Sequence, residues 1–215
     1  MGNLNKADKL IIQFVRDAKN ALKQYDKKIH DNLASSNHRA FYADEWKGLG
    51  ISGVNETIIR FLIAVDLSPK YAIESERQYD KRRQRHVDLS IWTDSGKDDP
   101  DIAIEIKWFN TLKPTGQDIF SQWSIDSITE DFRKLRNYSK TPNKYVLQMA
   151  FVPKSNTLTK TQLQRNMDSA LTKHITKTNA IRIISAVKFK TLSEKDDKYY
   201  FFWLICWKLT KKDSQ

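Results

Sequence analysis

The alternation of apolar and polar residues is clearest between positions 85 and 108, RHVDLSIWTDSGKDDPDIAIEIKW. Val87, Leu89 and Ile91 alternate with His86, Asp88, Ser90 and Trp92. Ile102, Ile104 and Ile106 alternate with Ala103, Glu105 and Lys107. A period of two predicts two strands, each with one apolar and one polar face. The intervening TDSGKDDPD is dense in Asp, Gly, Ser and Pro, which supply turn geometry, so a β-hairpin is the simplest connection. If it folds about Ser95 to Asp98 in an even register, Asp88 lies opposite Glu105 and His86 opposite Lys107.

Other segments carry longer or shorter periods. VNETIIRFLIAVDLS at 54–68 predicts a helix with Ile58, Phe61, Leu62 and Val65 at helical spacing, with Glu56 in its first turn and Arg60 at i+4 from it. YAIESERQY at 71–79 predicts a strand with Glu74 and Glu76 on one face and Ile73 on the other. A helix over 127–139, a buried strand over 144–152, a helix over 159–175 and strands over 181–189 and 199–209 follow. Residues from Lys6 to about Asn32 add one or two helices with Leu10, Ile11, Phe14, Val15 and Leu22 on the packing side. The expected class is α/β: a mixed β-sheet core at 54–209 flanked by α-helices, with 1–50 as a helical extension packed on it, all in a single domain.

The hairpin also carries the chemistry. Directly opposed residues have Cβ atoms roughly 5 Å apart. Two carboxylates that close repel unless a cation sits between them, and oxygen ligands alone suit Mg²⁺ or Mn²⁺ rather than zinc. Lys107 shares a face with Glu105. The acid-x-Lys triplet has little meaning by itself, because it also occurs at Asp17/Lys19, Asp26/Lys28, Glu45/Lys47 and Asp196/Lys198. Only Glu105/Lys107 lies on an isoleucine-rich alternating strand with an aspartate on a partner strand. The bland alternative is a solvated hairpin face bearing ordinary charges.

Asp88, followed after sixteen intervening residues by Glu105-Ile106-Lys107, resembles the catalytic core of the PD-(D/E)XK nucleases, the restriction-endonuclease-like superfamily. Val87 stands where that family has proline. A literal Pro-Asp occurs at Pro100-Asp101, but only three residues separate it from Glu105, so it reads as part of the loop. The resemblance implies a restriction-endonuclease-like fold, a catalytic set of Asp88, Glu105 and Lys107, and Mg²⁺ (or Mn²⁺) held by Asp88, Glu105 and the Ile106 carbonyl. It implies that Glu56, on the helix before the core sheet, joins the site, although acids also favour helix N-termini through the macrodipole. Glu76 is a secondary candidate for metal or water contact. Asp131 and Lys134 match a charged pattern of the family but read here as a solvated helix face. The implied activity is metal-dependent DNA cleavage of restriction or defence type, possible as a homodimer. Two alternatives stay open: a repair or branched-DNA nuclease, and a basic nucleic-acid-binding protein whose nuclease-like site does not turn over.

Composition supports a nucleic-acid partner. Of 215 residues, 37 are Lys or Arg and 26 Asp or Glu, and the resulting net charge of +11 attracts polyanions. The densest basic cluster, Lys81, Arg82, Arg83 and Arg85, precedes Asp88 and is the expected DNA-binding segment. The lone cysteine, Cys206, excludes an intramolecular disulfide. His30, His38, His86 and His174 lack metal-ligand spacing, and no glycine loop suited to phosphate is present. No run approaches the ~20 apolar residues of a membrane span and no signal-peptide pattern opens the chain, so no membrane association and a cytoplasmic location are expected.

Overall fold

A computed structural model describes residues 4–35, 50–51, 54–80, 85–93, 96–110, 122–153, 159, 161, 165, 179–195 and 198–211. In chain order the elements are α1 (Lys6–Ser35), α2 (Glu56–Leu67), β1 (Ala72–Asp80), β2 (Arg85–Trp92), β3 (Ile102–Asn110), α3 (Gln122–Asn137), β4 (Lys144–Pro153), β5 (Asn179–Lys195) and β6 (Lys198–Lys211). The expected helix over 159–175 lies outside the described residues except at three isolated positions. The strands form one six-stranded mixed sheet in the order β1-β2-β3-β4-β6-β5. β1, β2 and β3 run antiparallel, β3 and β4 are parallel, and β4, β6 and β5 are antiparallel again. A parallel pair cannot be joined by a tight turn, and α3 lies within the β3-to-β4 crossover. The protein is therefore mixed α/β. Among the described residues no helix is long and apolar enough to cross a membrane.

Helices cover both faces of the sheet. On one face, Ile11, Phe14, Val15, Ala18 and Leu22 of α1 and Ile59, Ile63 and Leu67 of α2 pack against Leu89, Ile91, Ile102, Ile104, Ile106, Tyr145, Leu147 and Met149. On the other, Ile128, Phe132 and Leu135 of α3, with Tyr138, pack on Ala103, Val146, Ala150, Trp203, Ile205 and Trp207. The second face of β3 is thus not a solvated hairpin surface: α3 roofs it, and Glu105 keeps only 4% of its surface exposed. Of the residues its periodicity indicates, α1 buries Ile11, Phe14, Val15 and Leu22 fully and Leu10 in part.

Three local expectations are corrected. In α2 the buried stripe is Ile59, Ile63 and Leu67, while Ile58, Phe61 and Val65 are exposed. The helix, ETIIRFLIAVDL, is apolar almost all round, so spacing defines a helix without fixing which side faces the sheet. In β1, Glu76 has φ of 57°, left-handed backbone in mid-strand, so Glu74 and Glu76 do not simply share a face. Glu74 instead pairs with Arg77 at 2.8 Å, a reach across three residues that regular strand alternation would prevent. In β2, beside this irregularity, Leu89 and Ile91 join the α1/α2 core but Val87 joins the α3 core. The phase of the strand changes at Asp88.

Two buried carboxylates clamp α1. Asp8, 2% exposed, accepts the Tyr145 hydroxyl at 2.9 Å and Lys208 Nζ at 2.6 Å, tying the start of the helix to β4 and β6. Asp26, 1% exposed, accepts the backbone N–H of Ile51 at 2.9 Å and of Leu192 at 2.8 Å. Burial raises the Asp26 pKa, against the opposing effect of those two N–H donors. Removing one partner of a buried charge pair leaves the other uncompensated. Asp8→Ala is expected to lower unfolding free energy by about 3 kcal/mol, read as a fall in the urea midpoint at unchanged m-value.

Candidate active site

The site begins where β2 and β3 part. Their described ladder runs Ile91↔Ile102, Ser90↔Ala103 and Leu89↔Ile104, and Asp88 and Glu105 follow directly after its last pair. Backbone pairing stops there and carboxylates take over. Asp88 Oδ2 accepts the Ile106 N–H at 2.7 Å, and Glu56 Oε2, from the first turn of α2, accepts the Trp108 N–H at 2.9 Å. A buried strand N–H must find an acceptor. A side chain of β2 and one of α2 therefore satisfy the edge of β3 where the β2 backbone no longer pairs, and this fixes both carboxyl groups beside it. Asn55 caps α2 by accepting the Ile58 N–H at 2.9 Å, which sets the height at which Glu56 enters.

Charge is concentrated on this fork. Arg60 does not pair with Glu56 as its i+4 spacing suggests. Its Nη1 donates to Asp88 Oδ1 at 2.5 Å and its Nη2 to Glu76 Oε1. Lys107 Nζ lies 3.5 Å from Asp131 Oδ2, and Lys134 Nζ lies 3.0 Å from Asp131 Oδ1. Asp131 is 1% exposed, so this part of α3 is not the solvated face that its charge pattern suggests. Lys107 is also in register with Gln148 of β4, a fully buried amide whose Oε1 accepts the Trp207 indole N–H at 2.9 Å. His86, expected to face Lys107, instead bonds through Nδ1 with the Glu76 carbonyl at 3.0 Å.

Burial weakens three of these acids, Glu105, Asp131 and Glu56. The Glu105 pKa is pushed far above the carboxylate range, first by desolvation and then by Asp88, which lies within hydrogen-bonding reach; Asp131 adds to this and Lys134 opposes it. Glu105 Oε1 is buried without a hydrogen-bond partner. Asp131 is raised by burial, against Lys107 and Lys134, and Glu56 is raised by burial, against the Trp108 N–H. Burial would lower the Lys134 pKa, but Asp131, Glu105 and Asp88 together raise it. Five carboxyl groups, Glu56, Glu76, Asp88, Glu105 and Asp131, thus meet three cations, Arg60, Lys107 and Lys134. Among the described residues no group of three or more His, Cys, Asp or Glu side chains is arranged to hold a metal ion. Asp88 and Glu105 form a two-carboxylate set with an unpartnered oxygen, and Mg²⁺ is commonly held by one or two carboxylates while keeping several waters.

The structure brings together Asp88, Glu105, Lys107, Glu56 and Glu76. Lys81, Arg82 and Arg83 of the expected DNA-binding cluster lie outside the described residues; Arg85 opens β2 and its side chain is not described. Pro100-Asp101 belongs to the turn. Asp101 accepts the Thr93 N–H at 2.7 Å, the Thr93 hydroxyl at 2.6 Å and Lys97 Nζ at 2.9 Å. Burial alone would raise its pKa, but the Thr93 and Lys97 contacts outweigh it and hold the value down to about 2. Sequence reading missed Arg60 as a ligand of Asp88 and the burial of Asp131. The signal for the latter was available: Asp131 directly precedes Phe132, between Ile128 and Leu135, the residues that dock α3. Comparison of the chain with family models, curated proteins and solved structures gives no match.

Two outcomes follow from these shifts. A carboxyl whose pKa rises on folding costs stability once pH passes its unfolded value, near 4.5 for Glu105. Glu105→Gln is therefore expected to raise Tm by about 3–6 °C at pH 8 in EDTA, the gain vanishing as pH falls below 4.5, followed by scanning calorimetry. Asp101 has the opposite sign, contributing stability above its ordinary 3.8 and losing it as pH falls toward 2. Asp101→Asn should cost about 1 kcal/mol at pH 7 in urea titrations, and the difference from wild type should close toward pH 2.

Proposed function

We propose that this protein is a Mg²⁺-dependent nuclease of the PD-(D/E)XK, restriction-endonuclease-like kind, hydrolysing DNA phosphodiester bonds. The observation that carries the reading is that the Asp88 and Glu105 carboxyls lie within hydrogen-bonding reach of each other at the β2/β3 fork, with Lys107, two residues on from Glu105, lying against Asp131 of α3. The order of a helix carrying Glu56, an antiparallel set carrying Asp88 and Glu105, and a helical crossover to a parallel strand agrees with the fold that the resemblance implies. Mg²⁺, or Mn²⁺ in its place, held by Asp88, Glu105 and the Ile106 carbonyl, would polarise a phosphoryl oxygen and acidify a bound water. Lys107, held toward Asp131, positions that water and stabilises negative charge developing on the phosphate. Glu56 closes the β3 edge behind Lys107 and adds negative charge. The excess of basic residues draws the DNA in, and that attraction weakens as salt rises. Restriction, defence and repair nucleases share this chemistry, and a homodimer is the form suited to cutting two strands.

One observation favours a second reading, a basic nucleic-acid-binding protein whose site does not turn over: Arg60 already neutralises Asp88. Cleavage assays separate the two. Purified protein, incubated with supercoiled, linear, branched and single-stranded DNA in Mg²⁺, Mn²⁺ or EDTA, is expected to cut only with a divalent ion. Asp88→Ala and Lys107→Ala are each expected to reduce the rate by about 100-fold or more with retained DNA binding. Binding without cutting of any form, unaltered in both variants, would establish the second reading.

A further inference from the structure

Among the described residues, the cation in direct contact with Asp88 is Arg60, whose side chain is 14% exposed beside an aspartate at 16%. Its guanidinium spans from Asp88 to Glu76, and Glu76 is 61% exposed. The backbone of Glu76 is left-handed in the middle of a strand, a conformation unfavourable for a non-glycine residue that persists only where its surroundings impose it. The bridge therefore joins a fixed anion within the site to a strained, outward one at its rim. Arginine stays charged and offers a planar fork that fits a carboxylate and a phosphate equally.

This arrangement bears on any divalent ion that uses Asp88. Two positive charges drawn to one carboxylate repel each other, and a divalent ion repels a guanidinium twice as strongly as a monovalent one at the same distance. A divalent ion and the Arg60 guanidinium therefore compete for the charge of one carboxylate, and binding of either weakens the hold of the other. Glu76 offers the displaced guanidinium one anion, and a substrate phosphate drawn to the same cation offers a second.

We propose that Arg60 is an exchangeable counter-ion: it neutralises Asp88 while no divalent cation is bound, and passes to a non-bridging oxygen of the substrate phosphate, steadied by Glu76, once one is. In a metal-dependent phosphodiesterase, the reading on which this rests, Arg60 is then a direct substrate ligand and sets how much cation the site requires. The contact that favours an inactive protein becomes a resting state of an active one.

Mn²⁺ titrations of the full chain without DNA, followed by electron paramagnetic resonance, test the exchange for wild type, R60M, E76Q and the double variant. R60M should tighten Mn²⁺ binding by about tenfold or more, since the competing ion pair is gone. E76Q should weaken it while Arg60 is present and have no effect combined with R60M, the coupling expected of two residues in one contact. In a Lys107→Ala background that leaves DNA uncut, R60M should lower DNA affinity about fivefold or more with Mn²⁺ present, and by less than about twofold in EDTA. If R60M melts well below wild type, R60K replaces it: its single ammonium cannot span both carboxylates, so Mn²⁺ binding should again tighten. Unchanged or weaker Mn²⁺ binding in a folded Arg60 variant, with wild type still binding Mn²⁺ and cutting DNA, overturns the exchange and leaves the nuclease standing. Absence of Mn²⁺ binding in wild type and variants alike, with no cleavage, removes both.

Discussion

Asp88 and Glu105 hold two carboxyl groups within hydrogen-bonding reach of each other, Glu105 buried and Asp88 partly so, and both cannot stay ionised there without positive charge between or beside them. The surrounding elements answer that constraint from several directions. Arg60 comes from α2, Lys107 from β3 and Lys134 from α3, and each lies against a carboxylate of the cluster. A proton on Glu105 settles part of the remainder. The pair sits at an end of the β2/β3 ladder, where backbone hydrogen bonding gives way to the Asp88 side chain.

The architecture keeps the pair in place by making its carboxylates structural as well. Asp88 and Glu56 accept the N–H groups of Ile106 and Trp108 that β2 leaves unpaired, so the edge of β3 would be unsatisfied without them. α3, inserted between parallel strands, packs Ile128, Phe132 and Leu135 over the same face and in doing so buries Asp131 beside Lys107. α2 is set by its Asn55 cap and by Ile59, Ile63 and Leu67 beneath it. Packing on both sides of the sheet thus converts ordinary surface charges into a low-dielectric cluster.

Such a cluster is costly for stability. Glu105 has an oxygen with no hydrogen-bond partner and a carboxyl that burial drives toward its neutral form, features that a protein selected for stability alone would replace. Asp8 and Asp26 show the contrast: equally buried, they are surrounded by donors and act as clamps on α1. The difference between a satisfied buried acid and an unsatisfied one separates framework from candidate chemistry here more clearly than residue type does.

The sequence by itself determined the elements and the register that matters. Alternation in β3 and in β2 from Leu89 onward, with the turn chemistry between them, set the ladder that ends at Leu89↔Ile104, next to Asp88 and Glu105, because a one-residue slip would turn the isoleucines of β3 away from the core. It also determined α1, whose stripe of Ile11, Phe14, Val15 and Leu22 admits one buried side. It could not choose the buried face of α2, where apolar residues surround the helix, nor the left-handed backbone of Glu76 in β1, nor the packing of Val87 of β2 on the α3 side. The partners of the charged residues were equally closed to it. Arg60 reaches Asp88 across 28 positions and Glu56 reaches Trp108 across 52, contacts between elements remote in sequence that exist only because both lie against β3. Local periodicity reports which residues share a face; which faces meet, and which charges lose their water as a result, is decided by packing.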